Sequence, residues 1–440
     1  MYLSFHWTQL SAVDPMEFRR IVIFVVAVTA VGAGKHGIYS RTSVHGVQLR
    51  DRNDLQLLSE LEQELGLDIW QRGMPAQRDA MVMVTPENSV AFLDALDENG
   101  LIHYLHLRDV AEALEEYDTE LSKTLSSRQN RMIFESYPRY DEIDNYLESI
   151  ASQYPNLVTV VNAGSSFEGR SVKYLKISTT NFEDPSKPIY MMEAMLHARE
   201  WVTTPVTLYS IYRLVENLRS DERDLLENID WIIIPLVNPD GYEYSHTTER
   251  LWRKTRSVLN VTTDCLGVDA NRNFDYYFNT TGVSTDPCAI TYPGHKPFSE
   301  PETGYIRDIL EEYLNRTQVF LDLHSYGNYV LFGFGNDILP PNAAELHHVA
   351  ASMGAVMDTK KLPDADYYLV GNSGMVLYGA SGCADDYALD IGVPFSFTLE
   401  LPGYSYDFRV PVEYQNHINE ETWLGIVASA RLARLHYQVR

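Results

Sequence analysis

Cysteine is scarce in this chain of 440 residues: there are three, and no two stand in a C-x-x-C pair. Zinc ribbons and thioredoxin-like redox chemistry are therefore not expected. Basic residues are also in deficit, with 35 Lys and Arg against 61 Asp and Glu and a formal net charge of −26. A chain of that charge has no electrostatic attraction to nucleic acid or to an anionic membrane, and it favours cationic partners if charge matters at all. Solubility alone would explain the acidity equally well. No apolar run is long enough to span a bilayer comfortably, and neither internal repeats nor low-complexity tracts are found. What is present, 45% apolar and 22% charged residues, is the composition of a soluble globular protein with ample core material. The length exceeds what one hydrophobic core usually organises, so two domains and a leader are expected.

The leader begins at Met16, which we read as the probable start. "MEFRRIVIFVVAVTAVGAG" has a basic opening (Arg19, Arg20), an apolar run from Ile21 to Val31, and small residues Gly32, Ala33 and Gly34 suited to cleavage. Export into an oxidising, extracellular compartment follows, with sequons at Asn260, Asn279 and Asn315 then open to glycosylation. Cys265 and Cys288 flank a loop rich in Asp, Asn, Thr and Gly, as a disulfide clip would, leaving Cys383 as the odd thiol.

Behind the leader, "GIYSRTSVHGVQL" reads as a strand. An amphipathic helix through Leu55, Leu58, Leu61 and Leu65 follows, starting behind Asn53 or Asp54. "LDIWQRG", "DAMVMV" and "LIHYLHL" are further strands, and a second helix opens at Thr85 and Pro86 and closes at Gly100. The order strand, helix, strand, strand, helix, strand predicts a small ferredoxin-like α/β unit. An acidic helix and the polar segment "SSRQNR", with Arg128 and Arg131, come next and place a domain boundary there. From Phe134 on, helices alternate with fully apolar strands: "YLKIS", "PIYMMEA", "WIIIPLV", "VFLDL" and "PFSFTLE". Continuous apolarity predicts a mixed, largely parallel sheet covered by helices on both faces. The expected organisation is a leader over 1–34, an N-terminal α/β segment over 35–131 and a main domain over 132–440.

His197 and Glu200 form an H-x-x-E whose spacing can bring two ligands to one metal ion. The spacing alone says little, because His246 with Glu249 and His417 with Glu420 repeat it. Position separates them. His197 follows the strand ending "MMEAML" and precedes a helix, and ligands bind beyond the carboxyl ends of strands in such sheets. Two other strands end in reactive residues, His324 in "VFLDLHSYG" and Glu400 in "PFSFTLELPG". His197, Glu200 and His324 would make a three-ligand zinc site with a position open for water, and Glu400 could serve as its general base. The ligand types do not exclude cobalt or other divalent ions. Taken singly, His324 as a satisfied core histidine and Glu400 as a surface ion-pair member remain ordinary alternatives.

The ordered set "MLHAREW", "NPDGYEYS", "RLWRKTRS", "GVDANRNF", "LDLHSYG", "LYGASGCADDYA" and "FTLEL" resembles the zinc metallocarboxypeptidases of the pancreatic A/B type over about residues 134–440. The resemblance implies His197, Glu200 and His324 as zinc ligands and Glu400 as general base. Arg253 would stabilise the oxyanion, and Asn271, Arg272 and Tyr378 would grip the terminal carboxylate of a peptide substrate. It further implies Asp269 as partner of a ligand histidine, a Cys265–Cys288 disulfide, and Arg199, Tyr326 and Phe408 lining subsites. The N-terminal unit would be an inhibitory prosegment, released when a trypsin-like protease cuts after Arg128 or Arg131.

Such roles are chemically coherent. A carbonyl attacked by water gains negative charge that a metal and a guanidinium stabilise, and arginine's planar donors match two carboxylate oxygens at once. Seven residues beyond Tyr378, the family places the base of the pocket for the C-terminal side chain, which is Asp385 here. A buried carboxylate there would favour Lys or Arg, the B type, with Gly335 and Ser373 leaving room. The competing assignment pairs Asp385 or Asp386 internally and predicts A-type preference for apolar ends. "ELPG" after Glu400 and Cys383 in the specificity loop depart from the family pattern. A catalytically silent protein that binds peptide C-termini is a different class of reading, against which Glu400 and Arg253 speak. Nucleotide binding has only "GAGKHG" at Gly32–Gly37, with no helix convincingly behind it.

Overall fold

The computed structural model describes residues 34–127, 131–258, 265–336, 338–377 and 379–439. The leader read from Met16, Arg128, the Asn260 sequon and Tyr378 lie outside the described residues.

The N-terminal unit runs β1 (Ser43–Val47), α1 (Arg52–Leu65), β2 (Asp68–Gln71), β3 (Ala80–Val84), α2 (Ser89–Glu98) and β4 (His103–Leu107). Its strands form an antiparallel sheet in the order β2-β3-β1-β4, the ferredoxin-like arrangement expected. Leu58 and Leu61 of α1 and Phe92 and Leu96 of α2 pack on Val47, Ala80, Val82 and Val84, so both helices cover one face.

Two boundaries differ from expectation. Asp51 caps α1, its carboxylate accepting the Asn53 and Asp54 amides, while Asp54 is buried and held by Arg50 at 2.7 and 2.9 Å. α2 starts at Ser89 because Thr85 to Asn88 close a turn of their own, which uses Pro86 before the helix begins.

α3 (Val110–Ser127) leads to the larger unit. It comprises α4 (Tyr140–Gln153), β5 (Val158–Ser165), β6 (Ser171–Ile177), β7 (Ile189–Ala194), α5 (Thr203–Val215), β8 (Asp230–Ile234), α6 (Pro239–Thr247), α7 (Pro301–Tyr313), β9 (Thr317–Ser325), β10 (Tyr329–Phe332), α8 (Ala343–Asp358), β11 (Leu369–Asn372), α9 (Ala384–Asp390), β12 (Phe395–Leu401) and α10 (Gln415–Val439), besides shorter turns. The eight strands order as β11-β10-β12-β9-β7-β8-β6-β5. The inner strands β12, β9, β7 and β8 are parallel, and antiparallel pairings appear toward both edges. β5, β10 and β11 are additions to the sequence reading: β5 is half-exposed, and the other two have four residues each.

Alternation along the inner strands explains their continuous apolarity. Met192, Leu321 and Leu323 face one core with α5, α8 and α10, whereas Met191 and Phe320 face the other with α7 and α9. Every position of β7, β8 and β9 is buried, so both faces need apolar residues.

The ends of the sheet differ in chemistry. Where β7, β8 and β9 begin, buried Asp230 receives Lys187 at 2.8 Å and pairs with Arg316, and Arg316 Nε donates to the Lys187 carbonyl. One carboxylate thus ties three strand entries together. We expect Asp230→Ala to leave Lys187 and Arg316 with neutral partners but no carboxylate and to lower unfolding free energy by about 3–5 kcal/mol. Urea denaturation checks this, and an unchanged midpoint would show that the clamp adds nothing.

Candidate metal centre and substrate cleft

The other end of the sheet carries the site. β7 ends at Ala194. Met195 then adopts a left-handed conformation (φ 69°), turning the chain into the loop that holds His197 before α5 begins. His324 and Glu400 sit next to last in the adjacent parallel strands β9 and β12, and their Cα atoms are register partners. Parallel neighbours end on the same edge, which is why chain-distant residues meet here.

His197, Glu200 and His324 are buried, and their potential ligand atoms lie within 4.8 Å of one another. His197 Nδ1 is 2.8 Å from one Glu200 oxygen and His324 Nδ1 is 2.9 Å from the other. Each ring's remaining nitrogen meets a second carboxylate: His197 Nε2 lies 3.0 Å from Asp269, and His324 Nε2 lies 2.7 Å from Asp322. For His197 the Asp269 contact places the imidazole proton on Nε2, whereas His324 Nε2 lies between the Asp322 carboxylate and the Asn271 amide. Both Nδ1 atoms face the Glu200 carboxylate, an arrangement that a cation between the rings and the carboxylate would satisfy. The donor set fits a zinc ion.

Asp269 is fully buried and shared. One oxygen serves His197, and the other accepts from Arg253 Nε and Nη2 at 3.1 and 3.0 Å. Burial opposes its ionisation, yet Arg253 and His197 hold its carboxyl well below the usual carboxylate range. Arg253 Nη1 remains 3.7 Å from Glu200, at the edge of the ligand cluster. Burial first and the Glu200 charge second push Glu400 up to about 8, poising it for proton exchange near neutrality.

The other H-x-x-E pairs do different work. His246 stacks on Trp201 at 3.8 Å, and burial drives its pKa well below the ordinary value, so it is a core histidine. Glu249 accepts the Tyr39 hydroxyl, and His417 pairs with Glu421 rather than Glu420.

Around the centre lies a cavity of 140 Å³, whose lining includes Asn271, Arg272, Ser373, Cys383, Asp385 and Thr398. Asn271 Nδ2 reaches His324 Nε2 at 3.0 Å, while its Oδ1 accepts the Ala384 amide. Arg272 donates to the Asn271 and Gly282 carbonyls. Asp385 is buried with one carboxylate oxygen lacking any partner, and burial, then Asp322, raise its carboxyl to about 6. Asp386, in contrast, accepts the Gly335 amide at 2.9 and 3.1 Å. Gly335 packs against that carboxylate and the Ala380 carbonyl, and Ser373 borders the cavity itself. Burial also lifts the Cys383 thiol well above its ordinary pKa, which keeps it protonated beside Arg272. Cys265 and Cys288 are disulfide-bonded, with Cα atoms 5.0 Å apart.

The N-terminal unit roofs this cleft. Asp68 takes both Arg199 terminal nitrogens at 2.5 and 2.9 Å, and Arg199 lies over the Phe408 ring at 4.4 Å. Trp70 and Tyr326 meet the same ring edge-on, and Tyr326 donates to Asp407. Asp322, Asp68 and Asp407 escaped the sequence reading. Asp322 had a signal, since two residues before His324 on a strand is the same face. The other two depend on contacts between distant segments.

The family profile described as "Zinc carboxypeptidase" matches residues 143–425, and that described as "Carboxypeptidase activation peptide" matches residues 46–117. "Carboxypeptidase B" of Helicoverpa zea is 41% identical over 93% of this chain and 98% of its own length. "Carboxypeptidase A2" of Rattus norvegicus is 35% identical over 88% of this chain and 91% of its own. A solved Carboxypeptidase A from Helicoverpa armigera superposes with a TM-score of 0.87 at 41% identity, covering 90% of this chain and 98% of that one.

Because Asp269 orients His197, Asp269→Asn should weaken zinc affinity by about 10–100-fold. Competition against a chromophoric chelator measures this without turnover. Equal affinity in both proteins would remove Asp269 from the metal's support.

Proposed function

The chain belongs to the zinc carboxypeptidase family, and from that premise we propose a secreted zymogen whose activated form removes Lys or Arg from peptide C-termini. It is a zinc metallocarboxypeptidase carrying an activation peptide, and its substrates are peptides with a free C-terminus. The boundaries we assign are a leader over 1–34, a prosegment over 35–131 and a catalytic domain over 132–440. Among the described residues no helix is long and apolar enough to cross a membrane. The leader and the Cys265–Cys288 disulfide support export to an oxidising compartment.

His197, Glu200 and His324 are the residues to hold the ion, which when bound supplies Lewis acidity to the reacting oxygens. Glu400 takes a proton from the attacking water and returns it to the departing amine nitrogen. Arg253, anchored by Asp269, stabilises the negative charge growing on the carbonyl oxygen. Asn271, Arg272 and Tyr378 hold the terminal carboxylate, so only chain ends are aligned for attack. Arg199 and Tyr326 border the residues upstream of the scissile bond.

One observation carries the B-type assignment: Asp385 lines the cavity and has a buried carboxylate oxygen without a partner, whereas Asp386 is already satisfied by Gly335. Desolvated negative charge awaiting a partner favours a cationic side chain and disfavours an apolar one. Leu331, Leu377 and Ala380 line the same cavity and favour the A-type alternative if Asp385 is neutral.

Activation comes from a trypsin-like cut after Arg128 or Arg131, which frees the unit that places Asp68 on Arg199. Trypsin should therefore raise activity, and a chelator should abolish it. Uncut protein, or cut protein with no gain, would end the zymogen reading. Arg-ended peptides should exceed Phe-ended ones, and Asp385→Asn should cut the Arg preference by about two orders of magnitude. Steady-state kcat/KM for the two blocked peptides decides it, and a wild-type preference for Phe establishes the A type.

The pH dependence has a definite sign. With its carboxyl at about 6, Asp385 gains charge as pH rises, so kcat/KM for Arg-ended peptides should climb through that region. The ratio to a Phe-ended peptide isolates this limb from titrations common to both. A ratio flat from pH 5 to about 8 would detach Asp385 from recognition.

A further inference from the structure

The prosegment places a second side chain on the catalytic unit, away from the ligand cluster. Arg78, in the β2–β3 connection, has a side chain only 8% exposed although it belongs to a surface loop. Its guanidinium donates to the Gly327 carbonyl and, at 3.0 Å, to the Tyr367 carbonyl. It also lies 4.6 Å above the Tyr329 ring, with Nε 3.5 Å from the Asp366 carboxylate. All four acceptors lie beyond residue 132, so they stay with the catalytic chain when the prosegment leaves.

This receptor is built into the cleft wall. Gly327 stands three residues after His324, and a Cβ there would come within 2.4 Å of the Tyr329 ring, so only glycine brings that carbonyl so close. Tyr329 borders the metal cavity and is the register partner of Glu400. Beyond Gly327 and Asp366 a groove of 580 Å³ continues past Asp364, Tyr404 and Tyr406, and no Lys, Arg or His is among its described lining residues. Lys361 Nζ lies 4.4 Å over the Tyr367 ring and donates to the Leu362 and Ala365 carbonyls at the rim of this groove, so the Gly327 and Tyr367 carbonyls, the Asp366 carboxylate and the Tyr329 face are the part that suits a second cation.

We propose that Gly327, Tyr329, Asp366 and Tyr367 form a second cation subsite, which holds Arg78 in the zymogen and takes a Lys or Arg side chain upstream of the scissile bond after activation. The proposal deepens the reading of the chain as an activatable carboxypeptidase and rests on it. It gives substrates a second recognised position, independent of the one facing Asp385. Asp366 is 71% exposed, so its own charge adds modestly, and the two carbonyls and the ring supply the rest.

The test uses trypsin-activated full-length protein and alanine-based peptides with one common, cleavable C-terminal residue. Arg, Ala or Glu is placed in turn at the second to fifth positions from the end. At one position Arg should raise kcat/KM about tenfold over Ala, mainly through KM, with Glu below Ala. Asp366→Lys sets a competing cation at the subsite and should abolish the gain. Calorimetric affinities of the same peptides for trypsin-cleaved, inactive Glu400→Gln protein repeat the comparison without turnover. No gain at any position in either assay overturns the subsite, as does a gain that survives Asp366→Lys. Absence of cleavage counts against the carboxypeptidase reading alone, and the affinities still decide the subsite.

Discussion

An excess of negative charge, confined where three parallel strands end, is the constraint on which the rest of the structure depends. Glu200 faces two imidazole Nδ1 atoms, Asp269 and Asp322 stand behind the rings, and Glu400 closes the far side. Buried carboxylates at such spacing are tolerable only when cations or protons offset them. Arg253 offsets part of the charge through Asp269, and a divalent ion held by His197, Glu200 and His324 would offset more. Glu193 illustrates the alternative: buried beside Asp322 with neither oxygen partnered, its carboxyl is raised far above the ordinary range and stays protonated.

The same electrostatics govern the roof. Beside the cleft the prosegment sets Arg78 on carbonyls and a ring, while Asp68 neutralises the buried Arg199. Aromatic packing of Trp70 on Phe408 excludes water around that pair. In low dielectric a bidentate contact is strong, yet it links residues on either side of a segment that a protease can sever. Blocking and release thus draw on one set of contacts.

The candidate cluster was partly legible in the chain because His324 and Glu400 close strands and His197 follows one, where local pattern carries positional meaning. An apolar run followed by His197, His324 or Glu400 marks one sheet edge, and Asp322 could have been added from strand alternation. The inner strands were legible for the same reason, since burial on both faces leaves continuous apolarity. β10 and β11 were not, because four-residue strands lack a period long enough to recognise. Helix starts at Arg52 and Ser89 moved because Asp51 and the Thr85–Asn88 turn competed with equally plausible caps nearby.

Sequence by itself determined the chemistry on offer: which residues could bind a metal, take a proton, form a disulfide or bury a core. It also determined the mixed sheet, since periodicity is a local property. Only tertiary structure decided which of three identical H-x-x-E spacings joins a group that could hold a metal ion, because Trp201 buries His246 while His324 is brought beside His197. It alone decided that Asp386 is satisfied by Gly335 and Asp385 is not, and that Arg199 and Arg78 find partners across two units. Hydrogen bonding between segments hundreds of residues apart depends on how strands order in a sheet, and no local pattern encodes that order.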